Sequence, residues 1–257
     1  MPLPASTHMG AVELTVADLE RSLGYYRDSI GLELLSSEDG EASLGAGGRE
    51  LLHLVEEPGA RPADGYTGLF HFALLVPERA DLAHWLTHAA RDGVQLTGAS
   101  DHFVSEALYL RDPDHHGIEL YWDRPRALWE GQVNRMGTWP LDVDGLLAET
   151  PAAPFEGLAS GTAMGHVHLR VANVDDTVHF YRDVLGLDLM TQLGPQAAFL
   201  SAGGYHHHLG ANTWESAGAP PAPAGTAALR RFTIVVPGSE PKTLTDPSGN
   251  TLVLTGV

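Results

Sequence analysis

Histidine is unusually abundant in this chain, and imidazole is the side chain best suited to proton transfer and metal binding near neutral pH. The 257 residues include 14 histidines, nearly as many as the 15 lysines and arginines together. Three of them are consecutive, at 206–208, in the glycine-flanked stretch GGYHHHLGANTW. Such a run is consistent with a metal site, a catalytic acid or base, or only the polar face of a strand. The surrounding elements must decide between these interpretations.

A second candidate site contains an acidic residue inside an apolar segment. Glu119 lies in GIELYW, and His71 opens the apolar segment HFALLVP. An ionised carboxylate buried in such a strand is costly unless it is paired or coordinates a cation. Glu119 therefore binds a metal together with histidines, or it pairs with an arginine such as Arg111 while His71 is an ordinary strand-end histidine.

An internal repeat indicates which elements position these residues. The segment MGAVELTVADLERSLGYYRDSIGLELL, which starts at residue 9, matches MGHVHLRVANVDDTVHFYRDVLGLDLM, which starts at residue 164, at a constant offset of 155 residues. Each copy shows a strand with period-two alternation, a helix that starts at Asp or Asn and ends at Gly, and a second strand. The same offset aligns RELLHLVEEP with GYHHHLGANT. It predicts that the three histidines lie in the last strand of a β-α-β-β-β module.

Two further segments repeat at other offsets. LFHFALLVP resembles LRRFTIVVP, and DPDHHGIEL resembles DPSGNTLVL, with only the short GSEPKTLT in place of the helix of the earlier copy. The sequence therefore predicts an α+β fold of four β-α-β-β-β modules, the fourth truncated, at 7–60, 68–125, 162–215 and 227–257. A connection that contains Pro and Gly occupies 126–161, with a short helix expected at DVDGLLAE.

Composition limits the classes of function. The formal net charge of −18 would repel nucleic-acid phosphates and anionic lipid. No apolar run reaches the length of a membrane span, and MPLPASTHMG lacks the features of a signal peptide. The absence of cysteine fits a reducing compartment. We expect a cytoplasmic protein with a small-molecule partner and with no nucleic-acid or membrane partner; homo-oligomerisation is left open.

Five segments together resemble the vicinal oxygen chelate superfamily, which includes glyoxalases, bleomycin-resistance proteins and extradiol dioxygenases. They are HFALLVP, DHFVSEALYLRDPDHHGIELYWDRP, MGHVHLRVANVDDTVHFYRDVLG, GGYHHHLGANTW and DPSGNTLVL. The likeness is greatest to the catechol 2,3-dioxygenase type. The resemblance implies that modules pair into two half-open β cups, in domains at 1–125 and 162–257. It also implies metal ligands early in the first strand and in the last strand of the contributing modules.

At these positions, two histidines and one carboxylate stand out, namely His71, His166 and Glu119. A 2-His-1-carboxylate triad leaves one face of an octahedral Fe(II) open, and Mn(II) is the alternative metal. Pairing of the first module with the second would offer Ala11, His53, His71 and Glu119, whereas pairing of the second with the third offers the triad. We favour the second arrangement, because the remaining modules carry Ala11, Arg231 and Val253 at the ligand positions.

The resemblance also implies catalytic residues. It assigns an acid/base histidine to the run at 206–208, with His207 as the first choice. Alternation along a strand would send His206 and His208 to the opposite face, and a shift of register by one residue would bring His208 to the metal instead. Tyr109, ten residues before Glu119, matches the family's active-site tyrosine. His102 matches a further active-site histidine if a gap of two residues is allowed.

The function implied by the resemblance is an Fe(II)-dependent extradiol dioxygenase that inserts O2 into a catechol-like aromatic diol. One alternative is a non-catalytic member that binds an aromatic ligand or an antibiotic. The other is a glyoxalase- or isomerase-like metalloenzyme, which would usually carry a second carboxylate ligand.

Overall fold

The computed structural model describes residues 2–256, so the first residue of the range 1–125 and the last residue of 162–257 lie outside the described part. The modules follow one another in the predicted order. The first module comprises β1 (His8–Val16), α1 (Leu19–Gly24), a π-helical turn (Tyr25–Ile30), β2 (Glu33–Glu38), β3 (Glu41–Ala46) and β4 (Arg49–Glu56), followed by the short β5 (Arg61–Pro62).

The second module has a longer helix. It comprises β6 (Gly68–Leu75), α2 (Arg79–Asp92), β7 (Gly98–Asp101), β8 (Ser105–Arg111) and β9 (Gly117–Asp123). The connection that follows contains two 3₁₀ turns (Arg126–Leu128 and Val133–Arg135) and α3 (Val143–Leu147), which is the short helix expected there.

The third module repeats the plan of the first, and the fourth is reduced. The third comprises β10 (Ala163–Arg170), α4 (Val174–Val178), a π-helical turn (His179–Leu185), β11 (Asp188–Leu193), β12 (Ala197–Ser201) and β13 (Leu209–Asn212). After β14 (Thr226–Ala227), the fourth comprises β15 (Leu229–Val235), β16 (Lys242–Thr245) and β17 (Thr251–Thr255). In the described part of the chain no helix lies between β15 and β16, so the predicted α+β fold with a truncated fourth module is confirmed.

Most strands belong to two large sheets, each of which combines one module from the first half of the chain with one from the second half. A seven-stranded sheet has the order β16-β17-β15-β1-β4-β3-β2, and an eight-stranded sheet has the order β11-β12-β13-β10-β6-β9-β8-β7. The first module therefore pairs with the fourth, and the second pairs with the third through antiparallel β6 and β10. Each sheet takes one module from 1–125 and one from 162–257.

Local sequence signals explain the helix boundaries in the repeats. The side chain of Asp18 accepts a hydrogen bond from the backbone N–H of Arg21 at 2.9 Å, and Asn173 accepts one from Asp176 at 3.1 Å. These N-caps satisfy donors that the first turn of a helix leaves free. Gly31 and Gly186 end the π-helical turns with φ of 90° and 100°, a left-handed conformation that favours glycine.

Strand alternation separates the core from the concave face of each sheet. On β10, Val167 and Leu169 pack into the core, whereas His166, His168 and Arg170 face the other way. All five of these side chains are nonetheless buried. Buried polar groups require partners, and those near His166 and His168 belong to the site described next. The longest helix in the described part of the chain, α2, has 14 residues, which is too few for a membrane span.

Candidate metal centre and cavity

Strand register brings three predicted ligands together on the eight-stranded sheet. Ala73 on β6 lies opposite His166 of β10 on one side and opposite Glu119 of β9 on the other. His71 precedes Ala73 by two residues and therefore shares its face. The methyl group of Ala73 is fully buried beneath the three polar side chains. A small residue at this position leaves room for their donor atoms to converge.

The three donor atoms are close to one another. Nε2 of His71 lies 3.3 Å from Nε2 of His166 and 3.0 Å from Oε2 of Glu119, and His166 Nε2 lies 3.2 Å from the same oxygen. Ligands bound cis on an octahedral ion at about 2.1 Å would stand roughly 3.0 Å apart. The residues present therefore fit a divalent metal ion held by two imidazoles and one carboxylate.

Among residues 2–256, Glu119 has no arginine as a partner. The Nη1 atom of Arg111 donates to the backbone carbonyl of His115 at 3.3 Å and lies 3.6 Å from Asp64. Glu119 is 3% exposed, and its polar neighbours are His71 and His166 together with Tyr109 on the adjacent strand. The interpretation of Glu119 as one half of an ordinary ion pair with Arg111 is therefore not supported.

Electrostatics keep these side chains in the protonation states that bind a cation. Burial would raise the pKa of Glu119, but the adjacent His166 and His71 hold that pKa well below its ordinary value. Burial lowers the pKa of His166, although Glu119 opposes that effect. An ionised carboxylate and a neutral imidazole are the forms that coordinate a divalent metal.

A cavity of about 370 Å³ opens directly over the three side chains. Its outer wall includes Phe70, Leu193, Phe199 and Trp214. This volume is at the lower end of the range of small-molecule sites. Its polar lining includes His102, Tyr109 and His207 besides the three side chains of the floor, so a flat apolar ligand with polar atoms at its edge would complement the cavity.

Tyr109 and His102 form a hydrogen-bonded pair in the lining of the cavity. Tyr109 is the cross-strand partner of Glu119 in the β8–β9 ladder, so the ten-residue spacing in the sequence corresponds to direct opposition. His102 Nδ1 lies 2.6 Å from the carbonyl oxygen of Gly137 and donates to it, so Nε2 accepts the proton of the Tyr109 hydroxyl at 2.7 Å. Burial and the nearby Glu119 raise the pKa of Tyr109 well above its ordinary value.

The histidine run is not in a strand, and the expectation that it lies there is wrong. Residues 205–208 form a loop, and β13 begins only at Leu209. Gly203 and Gly204, with φ of 62° and 70°, make a turn after β12 that delays the strand. Strand alternation therefore cannot sort these histidines by face, and the loop conformation decides which of them reaches the cavity.

Within this loop, His207 lines the cavity and its two neighbours do not. The His207 ring centroid lies 4.1 Å from that of His166. His208 turns toward the end of β12, where its Nδ1 is 2.8 Å from Ser201 Oγ and 3.3 Å from the backbone N–H of Ala202. His206 is 1% exposed and contacts Asp123.

The structure also places residues at the site that the sequence motifs did not identify. His168, one alternation from His166, lies on the cavity wall with its ring centroid 4.9 Å from that of His71. Asn212 donates to His168 Nε2 at 3.0 Å, and its own Oδ1 accepts from the backbone N–H of Trp214. His168 is visible in the sequence as a polar residue that alternates with Val167 and Leu169, a signal that marks a polar strand face.

The same positions on the seven-stranded sheet carry different chemistry. His53 is about one quarter exposed and lies near Glu41 and Glu50, at 3.2 and 3.3 Å. Arg231 pairs with Glu13. Among residues 2–256, the cluster of His71, Glu119 and His166 is the group of buried acidic and histidine side chains that meets the geometry of a metal site. The favoured pairing of the second module with the third is confirmed by the sheet order.

Comparison with known proteins gives a family and a relative of known name. The profile of the glyoxalase/bleomycin resistance protein/dioxygenase superfamily matches residues 8–120 and 163–233. The chain is 43% identical over 241 residues to a catechol-2,3-dioxygenase from Bacillus subtilis (strain 168), an alignment that covers 91% of this chain and 84% of the relative.

Solved structures agree with the fold. Glyoxalase I from Zea mays superposes with a TM-score of 0.59 at 17% identity, over 97% of this chain and 92% of that protein. The cppA protein from Streptococcus pneumoniae superposes with a TM-score of 0.57 at 13% identity, over 97% and 99% of the two chains. At such identities the likeness concerns the fold alone. It matches the repeated modules and curled sheets described above.

Proposed function

This chain belongs to the glyoxalase/bleomycin resistance protein/dioxygenase superfamily, and on that premise we propose that it is a metal-dependent extradiol dioxygenase that cleaves a catechol-like aromatic ring. The observation that carries the proposal is the buried cluster of His71, Glu119 and His166 at the floor of a cavity with apolar walls. The catechol-2,3-dioxygenase relative, at 43% identity over most of both chains, supports the same reaction class.

The cluster would hold the metal, and its chemistry favours iron. Two imidazoles and one carboxylate are the set that binds Fe(II) in non-haem oxygenases, with Mn(II) as the alternative occupant. When bound, such an ion supplies Lewis acidity toward the two diol oxygens and the redox chemistry that makes dioxygen reactive. The chain itself must accept and return protons, orient the ring and exclude water.

In the proposed reaction, the diol and O2 combine without loss of atoms. The bond between a hydroxylated ring carbon and its unsubstituted neighbour breaks, both oxygen atoms of O2 enter the product, and a ring-opened aldehyde-acid results. The diol must lose protons when it chelates a cation, so a base must face the cavity. His207 is that base in our proposal, because its ring lines the cavity 4.1 Å from that of His166, and burial, which lowers its pKa well below the ordinary value, keeps the ring neutral.

Tyr109 and His102 would orient the substrate from the opposite side of the cavity. The hydroxyl proton of Tyr109 is directed to His102, so the phenol oxygen keeps lone pairs for a donor on the substrate. The raised pKa of Tyr109 keeps this group neutral. A neutral partner can hold a diol oxygen without adding a second negative charge beside Glu119.

The cavity walls suit an aromatic ring. Phe70, Phe199 and Trp214 offer ring faces and edges to a planar ligand, and such contacts are worth about 0.5–1.5 kcal/mol each beyond their burial. A volume of about 370 Å³ has room for a substituted diol.

We propose that this reaction takes place in the cytoplasm, where a chain without cysteine loses no stabilising disulfide.

A glyoxalase-like reaction is the weaker candidate. Such sites usually carry a second carboxylate on the metal. In the part of the chain that the structure describes, no second Asp or Glu joins the cluster of His71, Glu119 and His166. The non-catalytic alternative would not require a base and a tyrosine–histidine pair beside the metal ligands.

Oxygen uptake with a panel of catechols tests the proposal. The protein is loaded anaerobically with Fe(II), Mn(II) or Zn(II), and each form is assayed with and without O2 for oxygen consumption and for a yellow ring-opened product. We expect consumption of one O2 per catechol by the Fe(II) or Mn(II) form and none by the Zn(II) form. Absence of oxygen uptake with every catechol, while the metal stays bound, would refute the dioxygenase assignment.

A further inference from the structure

We propose that Asp123 and His206 are positioning residues that set the tautomer of His207, so that its Nε2 lone pair is directed into the cavity. The consequence for catalysis rests on the proposed function, but the arrangement itself does not. The evidence is a continuous set of hydrogen bonds that joins β9 to the loop at 205–208. We refer to Asp123, His206 and His207 as the Asp123 chain.

Strand alternation places Asp123 toward the loop. Glu119, Tyr121 and Asp123 lie on one face of β9, because each is two residues from the next. Oδ1 of Asp123 accepts a hydrogen bond from Nε2 of His206 at 2.7 Å. Its Oδ2 accepts one from the hydroxyl of Tyr205, also at 2.7 Å. Its side chain is 19% exposed, whereas that of His206 is 1% exposed.

The directions of these hydrogen bonds follow from what each group can donate. An ionised carboxylate only accepts, so His206 carries its proton on Nε2. A neutral His206 then has a lone pair on Nδ1. This atom lies 2.8 Å from Nδ1 of His207, which must therefore donate. His207 thus carries its proton on Nδ1, and its Nε2 is the unprotonated nitrogen.

The second ring nitrogen of His207, Nε2, is open to a ligand in the cavity. Nδ1 of His207 is engaged with His206, and within residues 2–256 Nε2 has no hydrogen-bond partner. The His207 ring lines the cavity and packs against His166. An imidazole with an unengaged lone pair beside the metal ligands is arranged as a proton acceptor for a ligand in the cavity.

A second set of contacts fixes Asp123. Because Tyr205 donates to Asp123, its oxygen accepts the hydroxyl proton of Tyr121 at 2.8 Å. Gly165 packs against this hydroxyl so closely that a Cβ atom at that position would overlap it. Glycine at 165 therefore leaves room for the Tyr121 hydroxyl to reach Tyr205. Tyr205 in turn holds one oxygen of the Asp123 carboxylate, and the other oxygen orients His206.

Nitrogen NMR tests the tautomers directly in the unmodified chain. Full-length protein labelled with ¹⁵N-histidine and loaded with diamagnetic Zn(II) is examined at about pH 8, where an ordinary imidazole is neutral. We expect two-bond ¹H–¹⁵N correlations that show a proton on Nε2 of His206 and on Nδ1 of His207. A doubly protonated His206, or a proton on Nε2 of His207, would overturn the proposal whether or not the protein cleaves catechols.

Asp123→Asn tests the role of the carboxylate. The amide of Asn can turn its NH2 group toward Nε2 of His206, which must then accept and carry its proton on Nδ1. The hydrogen bond from His206 to His207 would then run in the opposite direction. We expect His207 to shift toward the Nε2-protonated form. If the enzyme is a dioxygenase, kcat should fall about 10- to 100-fold, the range found for residues that orient a functional histidine, with KM changed by less than about threefold.

Asp64→Asn is the matched control. Asp64 lies 2.8 Å from Nδ1 of His115 in another Asp–His pair, but both side chains are more than half exposed and neither belongs to the Asp123 chain. The tautomer of His207 and kcat should both remain as in the unmodified protein. Equal kcat for Asp123→Asn and the unmodified enzyme, with unchanged tautomers, would refute the positioning role.

The two proposals fail in different ways. If the unmodified protein consumes no oxygen, the proposed function fails, and the NMR measurement still decides the tautomer. If Asp123→Asn does not fold, as judged by circular dichroism and thermal unfolding, the spectrum of the unmodified chain remains a sufficient test, and Asp123→Glu provides a variant that keeps the charge.

Discussion

The eight-stranded and the seven-stranded sheets share one plan but differ in what their concave faces carry. Both are built from two modules joined by antiparallel first strands, β6 with β10 and β1 with β15. At matching positions, the eight-stranded sheet has His71, Glu119 and His166, whereas the seven-stranded sheet has Arg231, Val253 and Ala11. A common backbone therefore supports two different surfaces, and side-chain identity decides which of them can bind a metal.

The connection at 126–161 adds a second difference. It covers the eight-stranded sheet, where Met136, Gly137 and Thr138 line the cavity and the backbone of Trp139 pairs with Asp101. The Gly137 carbonyl also sets the orientation of His102. On the seven-stranded sheet, Arg230 and Arg231 are about half exposed and pair with Glu13. The eight-stranded sheet therefore has both the metal-binding side chains and the segment that covers them. A buried cluster of charged groups needs both.

The largest expected effect separates the two sheets by their metal content. His166→Ala or Glu119→Ala removes one of three donors, so the protein should lose bound metal and all oxygen uptake. His53 on the other sheet is the control histidine, and His53→Ala should leave both unchanged. Metal analysis after gel filtration, together with an oxygen electrode, measures these outcomes. Loss of metal in His53→Ala with retention in His166→Ala would show that the sheets have been assigned the wrong roles.

Lowering the pH should lower the free energy of unfolding through His208, which lies in the loop at 205–208. Burial lowers the pKa of His208 to about 4, from an ordinary value of 6.5. Between these values the unfolded chain binds a proton that the folded chain does not, so stability is complete above about pH 6.5 and falls as the pH approaches 4. The difference corresponds to about 3 kcal/mol, on the order of 1.4 kcal/mol per pKa unit.

Denaturant unfolding of the metal-free protein between about pH 7.5 and pH 4.5 measures this loss, since the window spans the ordinary pKa of imidazole. His208→Gln, which keeps a polar side chain beside Ser201, should show a shallower dependence on pH. An identical dependence in the variant would indicate that His208 is not responsible.

A smaller effect is expected from an exchange of one residue between the sheets. Ala73 lies beneath the cluster, and the residue at the matching position of the fourth module is Thr233. Ala73→Thr inserts two heavy atoms into a fully buried position, and we expect destabilisation of about 1–3 kcal/mol and weaker metal retention. Thr233→Ala is the reciprocal control and should leave metal retention unchanged. Thermal unfolding and metal titration of both variants give the comparison.

The smallest effect is expected from the ion pair of the seven-stranded sheet. Glu13 pairs with Arg230 and Arg231, whose side chains are 44% and 55% exposed. Pairs of this kind contribute about 0.2–1 kcal/mol. Glu13→Gln should therefore lower the thermal unfolding midpoint slightly, with oxygen uptake unchanged. A large loss of activity in this variant would show that the two sheets are coupled in function.

Much of the fold could be predicted because it is recorded in local patterns. The repeat between residues 9–35 and 164–190 identified two modules, and the caps at Asp18 and Asn173 and the glycines at 31 and 186 behave as their residue types predict. His71, Glu119 and His166 come together in the structure as expected from the positions they occupy. Their roles as metal ligands, and those of His207, His102 and Tyr109, remain proposals to be tested.

The histidine run shows where pattern reasoning failed. A constant offset of 155 residues placed residues 206–208 in a strand, but the turn at Gly203 and Gly204 shifts the register, so Leu209 rather than His207 pairs with Val167. Strand alternation then gave no information about these side chains. The repeat defined the module, and a local insertion in a loop changed the orientation of the residues that matter most to the site.

The sequence alone determined the α+β modules, the truncated fourth unit and the types of side chain available for metal binding, because helix caps, turn glycines and strand alternation depend on near neighbours along the chain. Tertiary structure decided which modules share a sheet and which histidine faces the cavity. It also decided the hydrogen bond between Asp123 and His206, which are 83 positions apart in the sequence. Contacts between distant residues depend on the packing of whole elements, and no local pattern records that packing.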